Sequence, residues 1–226
     1  MTIENSISHI SQGEVEVLRD GEEQEILTGF YAPATIVGIS NAKTKDFYLI
    51  DAGGIGEGEV VIRDISCKGF NLDLITKIII THNHPDHIGD LGKFKGLTSI
   101  LMPDSSFELH TSNKFKLVNQ NAYAEPGRIT YNLDDGNNLG VISTPGHSGW
   151  DQSVIYTNPK TKEIIAIVGD LFWSENDWAQ KEDKNAEFRE LCVNPNMQEK
   201  SRKYIREKIR PKIIIPGHGL AFKTSF

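Results

Sequence analysis

Cysteine is scarce in this 226-residue chain: Cys67 and Cys192 are its only two, and neither sits in a Cys-x-x-Cys spacing. A disulfide scaffold is thereby excluded. The pair could close one bridge, but a domain of this length does not need it, so free thiols in a reducing compartment are expected. Long apolar runs are also missing, since no stretch approaches the roughly 20 residues of a membrane span. Met1-Thr2-Ile3-Glu4-Asn5 lacks a basic stretch leading into an apolar one, and neither end carries a lipidation motif. A cytoplasmic protein with no membrane partner is therefore expected. Positive charge is in deficit, with 24 Lys and Arg against 31 Asp and Glu, a net charge of −7. That excludes a broad basic surface for nucleic acid, though not RNA as a substrate, because a metal site can supply local positive charge. There is no repeat, low-complexity tract or linker-like segment, and one domain over 1–226 with a substantial core is expected.

Short strands fill the first part. Val15 to Leu18 precedes the turn Asp20-Gly21, which predicts a hairpin with Ile26 to Phe30. Strands are also expected at Ala34 to Ser40 and Phe47 to Asp51, a helix at Val60 to Lys68, and a buried strand at Ile75 to Thr81. His87 to Phe94 should open a short helix. Ser99 to Met102, Ile129 to Tyr131, Val141 to Thr144, Val154 to Tyr156 and Ile164 to Val168 read as strands. Asn196 followed by Glu199 resembles a capping box and starts a helix to about Arg210, with Met197, Tyr204, Ile205 and Ile209 on its apolar face. Pro211 stops it, and Lys212 to Ile215 is the last strand. These mixed elements define an α/β or α+β protein.

The histidines fall in a pattern. His82 follows the strand 75–81, His147 follows 141–144 through Pro145-Gly146, Asp170 follows 164–168 through Gly169, and His218 follows 212–215 through Pro216-Gly217. Each strand delivers a metal-type ligand just past its C-terminal end, where α/β proteins place their chemistry. His9 and His110 stand alone and read as ordinary polar residues. His82, His84 and His87, with Asp86 among them, crowd into six positions. A solvated loop has no reason to concentrate imidazoles and a carboxylate so tightly, whereas Zn²⁺ and its first-row neighbours take both.

Thr81-His82-Asn83-His84-Pro85-Asp86-His87, then Pro145-Gly146-His147, Gly169-Asp170 and Gly217-His218 in that order, resembles the metallo-β-lactamase superfamily. The resemblance runs from Asp51 to His218 and implies a four-layer αββα sandwich. It further implies that His82, His84 and His147 bind one divalent ion, that Asp86, His87 and His218 bind a second, and that Asp170 bridges them. Zn²⁺ is the expected metal, with Fe or Mn as alternatives. Asp51, in Leu49-Ile50-Asp51-Ala52-Gly53, matches an acidic motif that supports the site through hydrogen bonds without ligating; read from the sequence alone it is a strand-end turn former.

Two metals holding one water would supply a bridging hydroxide as nucleophile for an acyl carbon or a phosphorus. Asp86 would orient it or carry its proton as the catalytic residue, and Ser148 and Tyr123 are candidates for a general acid. Absences narrow the substrate. Asp170 is not a cysteine, unlike the periplasmic zinc β-lactamases. His84 is not a carboxylate, unlike flavodiiron-type oxidases. Only 47 residues separate Asp170 from His218, too few for the domain inserted in messenger-RNA 3′-end nucleases. Thr144 to Ser148, Gln152 to Val154, Val168 to Phe172 and Ile215 to Gly219 resemble the metallo-β-lactamase-domain-containing protein 1 group, which implies an RNA phosphodiester substrate. A thioester or lactone is the small-molecule alternative, for which Phe172, Trp173 and Trp178 would line an apolar pocket. Trp173 to Cys192, with Trp150, reads either as a lid over the site or as a loop anchored by its aromatics. Lys93, Lys95, Lys114 and Lys116 are candidate RNA contacts but are scattered. A different enzyme class, a mononuclear iron dioxygenase acting on persulfides, would need only His82, His147 and Asp170. A non-catalytic binding protein has no reason to keep seven ligands. A homodimer is compatible with the sequence, though no exposed apolar stripe demands one.

Overall fold

Alternating apolar and polar residues build two seven-stranded sheets, each in its own compact unit of the chain. This computed structural model describes residues 6–7, 15–21, 24–26, 29–31, 33–40, 47–109, 115–120, 125–134, 138–179 and 192–225. His9, His110, Lys114, Tyr123 and residues 180–191 of the Trp173 to Cys192 segment lie outside them.

The unit spanning His9–Ala122 holds strands β2 (Val15–Arg19), β5 (Ile36–Ser40), β6 (Phe47–Ile50), β7 (Ile75–Ile79), β8 (Ser99–Leu101), β9 (Ser105–Leu109) and β10 (Phe115–Gln120). They lie in the order β10-β9-β8-β7-β6-β5-β2. The central pairs β6–β7 and β7–β8 are parallel, and the remaining pairs are antiparallel. Parallel strands covered on both faces read as continuous apolar runs, as Ile78-Ile79-Ile80 does. Helix α1 (Gly58–Cys67) turns Val61 and Ile65, one turn apart, into a core with Ile36, Leu49, Ile75, Ile78 and Phe94. The short α2 (Pro85–Ile88) starts at Pro85, whose fixed φ suits a first helical position. The expected Asp20-Gly21 hairpin does not form. β2 pairs with β5, while β3 (Gln24–Ile26) and β4 (Gly29–Tyr31), among the described residues, pair only with each other. A turn dipeptide sets a local reversal but not the partner, which the apolar face of β2 chooses.

The other unit comprises Met1–Ser8 and Tyr123–Phe226. Its strands are β1 (Ser6–Ile7), β11 (Ile129–Asn132), β12 (Leu139–Ser143), β13 (Gln152–Thr157), β14 (Ile164–Ile167), β15 (Ile213–Ile215) and β16 (Ala221–Lys223), in the order β1-β16-β15-β14-β13-β12-β11. Only β14–β15 is parallel, and its crossover carries α3 (Glu175–Trp178) and α4 (Pro195–Tyr204). α4 starts earlier than expected. Asn194, not Asn196, caps it, accepting from the Met197 N–H at 3.1 Å with Pro195 at the first helical position. It continues as a π-helical turn over Ile205–Ile209, ending at Arg210 in a left-handed conformation. Its inward face also differs from expectation: Gln198, Ser201, Arg202 and Ile205 are buried, while Met197 and Tyr204 are half-buried.

Candidate metal centre

In the 9–122 unit the donors come from one loop after β7. His82 and His87 are buried, and His84 and Asp86 are half-buried. The His82 ring lies 4.6 Å from that of His84 and 4.1 Å from that of His87, and Asp86 Oδ2 stands 3.5 Å from His87 Nε2.

Asp51 organises this loop from beneath. Its carboxylate accepts from the Thr81 N–H at 2.7 Å, the Thr81 hydroxyl at 2.8 Å and His87 Nδ1 at 2.7 Å. The Thr81 hydroxyl, its single proton given to Asp51, can only accept from His82 Nδ1, 3.1 Å away. Both rings are thereby fixed with the proton on Nδ1, and each keeps its Nε2 lone pair for a metal. Asp51 adopts φ +58°, an uncommon left-handed conformation that asparagine and aspartate tolerate best. Holding it costs free energy, and such residues cluster at functional sites.

In the 123–226 unit three donors arrive from three strands. His147 follows β12, Asp170 follows β14 and His218 follows β15, and all three are buried. Asp170 divides its oxygens: Oδ2 lies 3.2 Å from His147 Nε2 and Oδ1 lies 3.5 Å from His218 Nε2.

The supports here are also separate. Asp151, buried four residues after His147, accepts from the Gly146 N–H at 2.8 Å, the Ser148 N–H at 2.9 Å and the Ser148 hydroxyl at 2.6 Å. Burial pushes its carboxyl above the usual range, and the Ser148 bonds pull it back. The Ser148 hydroxyl therefore serves the loop. Gly146 has φ +141°, and a Cβ there would lie 2.2 Å from the Gln198 backbone nitrogen, so only glycine lets α4 approach this closely. The polar inner face of α4 grips the ligand loops: Ser201 donates to the Pro145 carbonyl at 2.7 Å, and the Gln198 amide donates to the Asp170 carbonyl at 3.4 Å. Arg202 donates to the Leu171 carbonyl at 2.8 Å and to Asp177 Oδ2 at 2.9 Å. The same Asp177 oxygen accepts from the Trp173 N–H at 3.1 Å, and the Trp173 indole stacks on the His218 ring at 4.4 Å. Trp178 instead packs into the core against Phe172 and Phe222.

The imidazoles and carboxylates of these sets could hold metal ions. A model of the metallo-beta-lactamase superfamily matches residues 27–218, a span containing every one of these donors. The chain belongs to the metallo-β-lactamase superfamily. Metallo-beta-lactamase domain-containing protein 1 of Xenopus laevis is 28% identical over 220 residues, which cover 96% of this chain and 85% of that protein. The protein of the same name from Homo sapiens is 30% identical over 182 residues, covering 78% of this chain and 59% of its relative. Among solved structures, a quorum-quenching N-acyl homoserine lactone lactonase superposes with a TM-score of 0.60 at 17% identity, covering 93% of this chain and 94% of that one. A motif mutant of the Cronobacter sakazakii metallo-β-lactamase gives a TM-score of 0.53 at 17% identity, covering 94% and 80%. The α/β fold expected from the superfamily motifs is thus the fold found.

Several supporting residues of this superfamily member carried no signal in the sequence: Asp151, Asp177, Gln198, Ser201 and Arg202. Thr81 was visible only as the first letter of its motif. Among the candidate RNA contacts, Lys93 is engaged with Glu59 at 2.5 Å, which raises its pKa, and Lys95 and Lys116 are exposed. No helix among the described residues is long and apolar enough to cross a membrane.

Proposed function

We propose that this chain is a hydrolase working with two divalent ions, zinc being first choice for a donor set of imidazoles and carboxylates. His82, His84 and His147 with Asp170 would hold one ion, and Asp86, His87 and His218 the other, with Asp170 shared. One observation carries the reading: the two oxygens of Asp170 face two different histidines, His147 and His218, as a bridging carboxylate requires. When bound, such a pair supplies hydroxide near neutral pH and stabilises negative charge developing on the substrate. The protein's own groups do the rest. Asp51 and Thr81 fix the imidazole tautomers. Asp86, half-buried beside His87, takes the proton of the attacking water and passes it to the leaving group as the bond to phosphorus or acyl carbon breaks.

An RNA phosphodiester is the leading substrate, on the group resemblance; a thioester or a lactone is next. Both described cysteines are free, which supports the reducing cytoplasm as the location. The test is elemental analysis of the chain purified without added metal, alongside His84→Ala. Two divalent ions per chain, falling in the variant, are expected. One iron per chain, retained in the variant, overturns the two-metal reading and makes the protein a dioxygenase candidate, to be assayed by oxygen consumption with a persulfide.

A further inference from the structure

The strongest concentration of positive charge in this acidic chain lies on and after α4. Residues 199–212 carry seven Lys and Arg against two Glu. Some of it is spent internally. Arg202 is buried on Asp177, and Arg206 reaches the carbonyls of Asp177 and Trp178 and the carboxylate of Glu199. Lys200, Lys203 and Lys208 are exposed. Lys203 has only a loose 3.8 Å pairing with Glu207, and Lys200 and Lys208 pair with no described residue. Lys203 lies three positions after Lys200 and Lys208 five further on, and all three, with Tyr204, Glu207 and Pro126, line a shallow, open cavity of about 220 Å³.

Tyr204 forms a fixed wall of this cavity. Its ring lies flat against the backbone of Gly127, where φ is +85° and a Cβ would come within 2.0 Å of the ring. The lining is mostly apolar, and its three lysines are exposed, so their stems can lie along it while the ammonium groups stay in water. A pre-positioned aromatic face inside a cationic rim is the chemistry that binds a base and its phosphate together. A bare anion would leave the apolar lining unused.

We infer that this cavity is a subsite for one nucleotide unit, its base against Tyr204 and Pro126 and its phosphate on Lys200 and Lys208. The size suits a single unit, being below the usual range of drug-sized pockets. All the lining residues belong to the 123–226 unit, and the inference does not depend on the hydrolase reading or on any metal.

The experiment uses the full chain stripped of metal with a chelator, so that no turnover occurs. The probes are a fluorescein-labelled decauridine, followed by anisotropy, and uridine 5′-monophosphate as competitor. Lys200→Ala/Lys208→Ala, which alters only exposed side chains, should weaken binding about tenfold and lower the salt slope by about one, for the one phosphate they hold. Tyr204→Leu should weaken it by about fivefold or more through loss of stacking. Competition by uridine 5′-monophosphate at an affinity like that of the strand identifies a free nucleoside phosphate as the ligand. Binding of the strand alone identifies a single-stranded nucleic acid. Either supports the subsite. Unchanged affinity for both probes in the double-lysine variant overturns it, as does displacement by inorganic phosphate as effective as that by the nucleotide. Because metal is absent throughout, a chain that fails as a hydrolase can still pass this test, and the reverse also holds.

Discussion

The two units supply their donors in different ways. The 9–122 unit delivers His82, His84, Asp86 and His87 from one loop braced by one buried carboxylate, Asp51. The 123–226 unit delivers His147, Asp170 and His218 from three strand ends, each with its own support: Asp151 for the His147 loop, Gln198 for the Asp170 backbone, and the Arg202–Asp177 pair through Trp173 for His218. Donors adjacent in sequence share one brace. Donors far apart in sequence need a scaffold, and α4 provides it with a polar face turned inward. The first arrangement concentrates the consequence of a mutation on the tautomers, whereas the second spreads it over packing.

The contrast predicts where each unit breaks. The largest stability effect should come from Arg202→Met. It leaves the Asp177 carboxylate buried without its guanidinium, and removing one partner of a buried pair costs about 3–5 kcal/mol. Urea unfolding should register that loss. A change below about 1 kcal/mol would mean that the pair does not scaffold this unit. Next is Asp51→Asn in the other unit. The amide brings an NH₂ donor to a place where the Thr81 hydroxyl and His87 Nδ1 both need an acceptor, so one ring loses its tautomer. Supports of this kind are worth about 10–100-fold in metal affinity. Zinc titration should show that loss together with a smaller stability change, about 1.5–3 kcal/mol for charge-assisted bonds. If Asp51→Asn and Arg202→Met lose stability and metal affinity in the same ratio, the two units are not braced differently.

A milder break is Asp151→Ala. Three donors, from Gly146 and Ser148, lose their acceptor, at about 1–3 kcal/mol for groups left unsatisfied. The cost stays at the low end because the native carboxylate already bears a desolvation penalty, visible in its raised pKa. The expected signature is reduced unfolding free energy with a smaller loss of zinc affinity than Asp51→Asn causes.

The same contrast explains what could be read from the sequence. Local motifs were legible: the His82–His87 cluster, the Pro-Gly-His and Gly-His strand ends, and Asp51 once the family resemblance was recognised. The strand ends carrying His82, His147, Asp170 and His218 lie where the apolar runs placed them. Long-range supports were not legible. Asp151, Asp177 and Arg202 are ordinary polar residues until tertiary contacts pair them, and no spacing marks a buried ion pair between residues 25 apart. α4 misled for a related reason. Amphipathic reading assigns apolar residues to the inside, but Gln198, Ser201 and Arg202 point inward because carbonyl groups of the ligand loops await donors there. The β16 strand, three residues long, is too short to show a period, and β9 and β10 carry the polar pairs Ser105-Ser106 and Asn119-Gln120, which break the alternation that marks a strand.

The smallest effect sharpens the comparison through the two native thiols. Cys67 is exposed on α1 in the 9–122 unit, and Cys192 is buried in the other, its thiol donating to the Gly146 carbonyl at 3.0 Å beside His147. Burial pushes the Cys192 thiol pKa up, so its thiolate, the reactive form, is scarce at neutral pH. A disulfide reagent should therefore modify one thiol quickly in the native protein and the second only as the 144–151 loop opens. Because the Cys192 pKa is raised, its rate should go on climbing at alkaline pH past the point where an ordinary thiol levels off. Arg202→Met should speed the slow thiol by loosening α4, while Asp51→Asn should leave it unchanged. Two thiols reacting at one rate in the native chain would show that the scattered donors are no better scaffolded than an open loop.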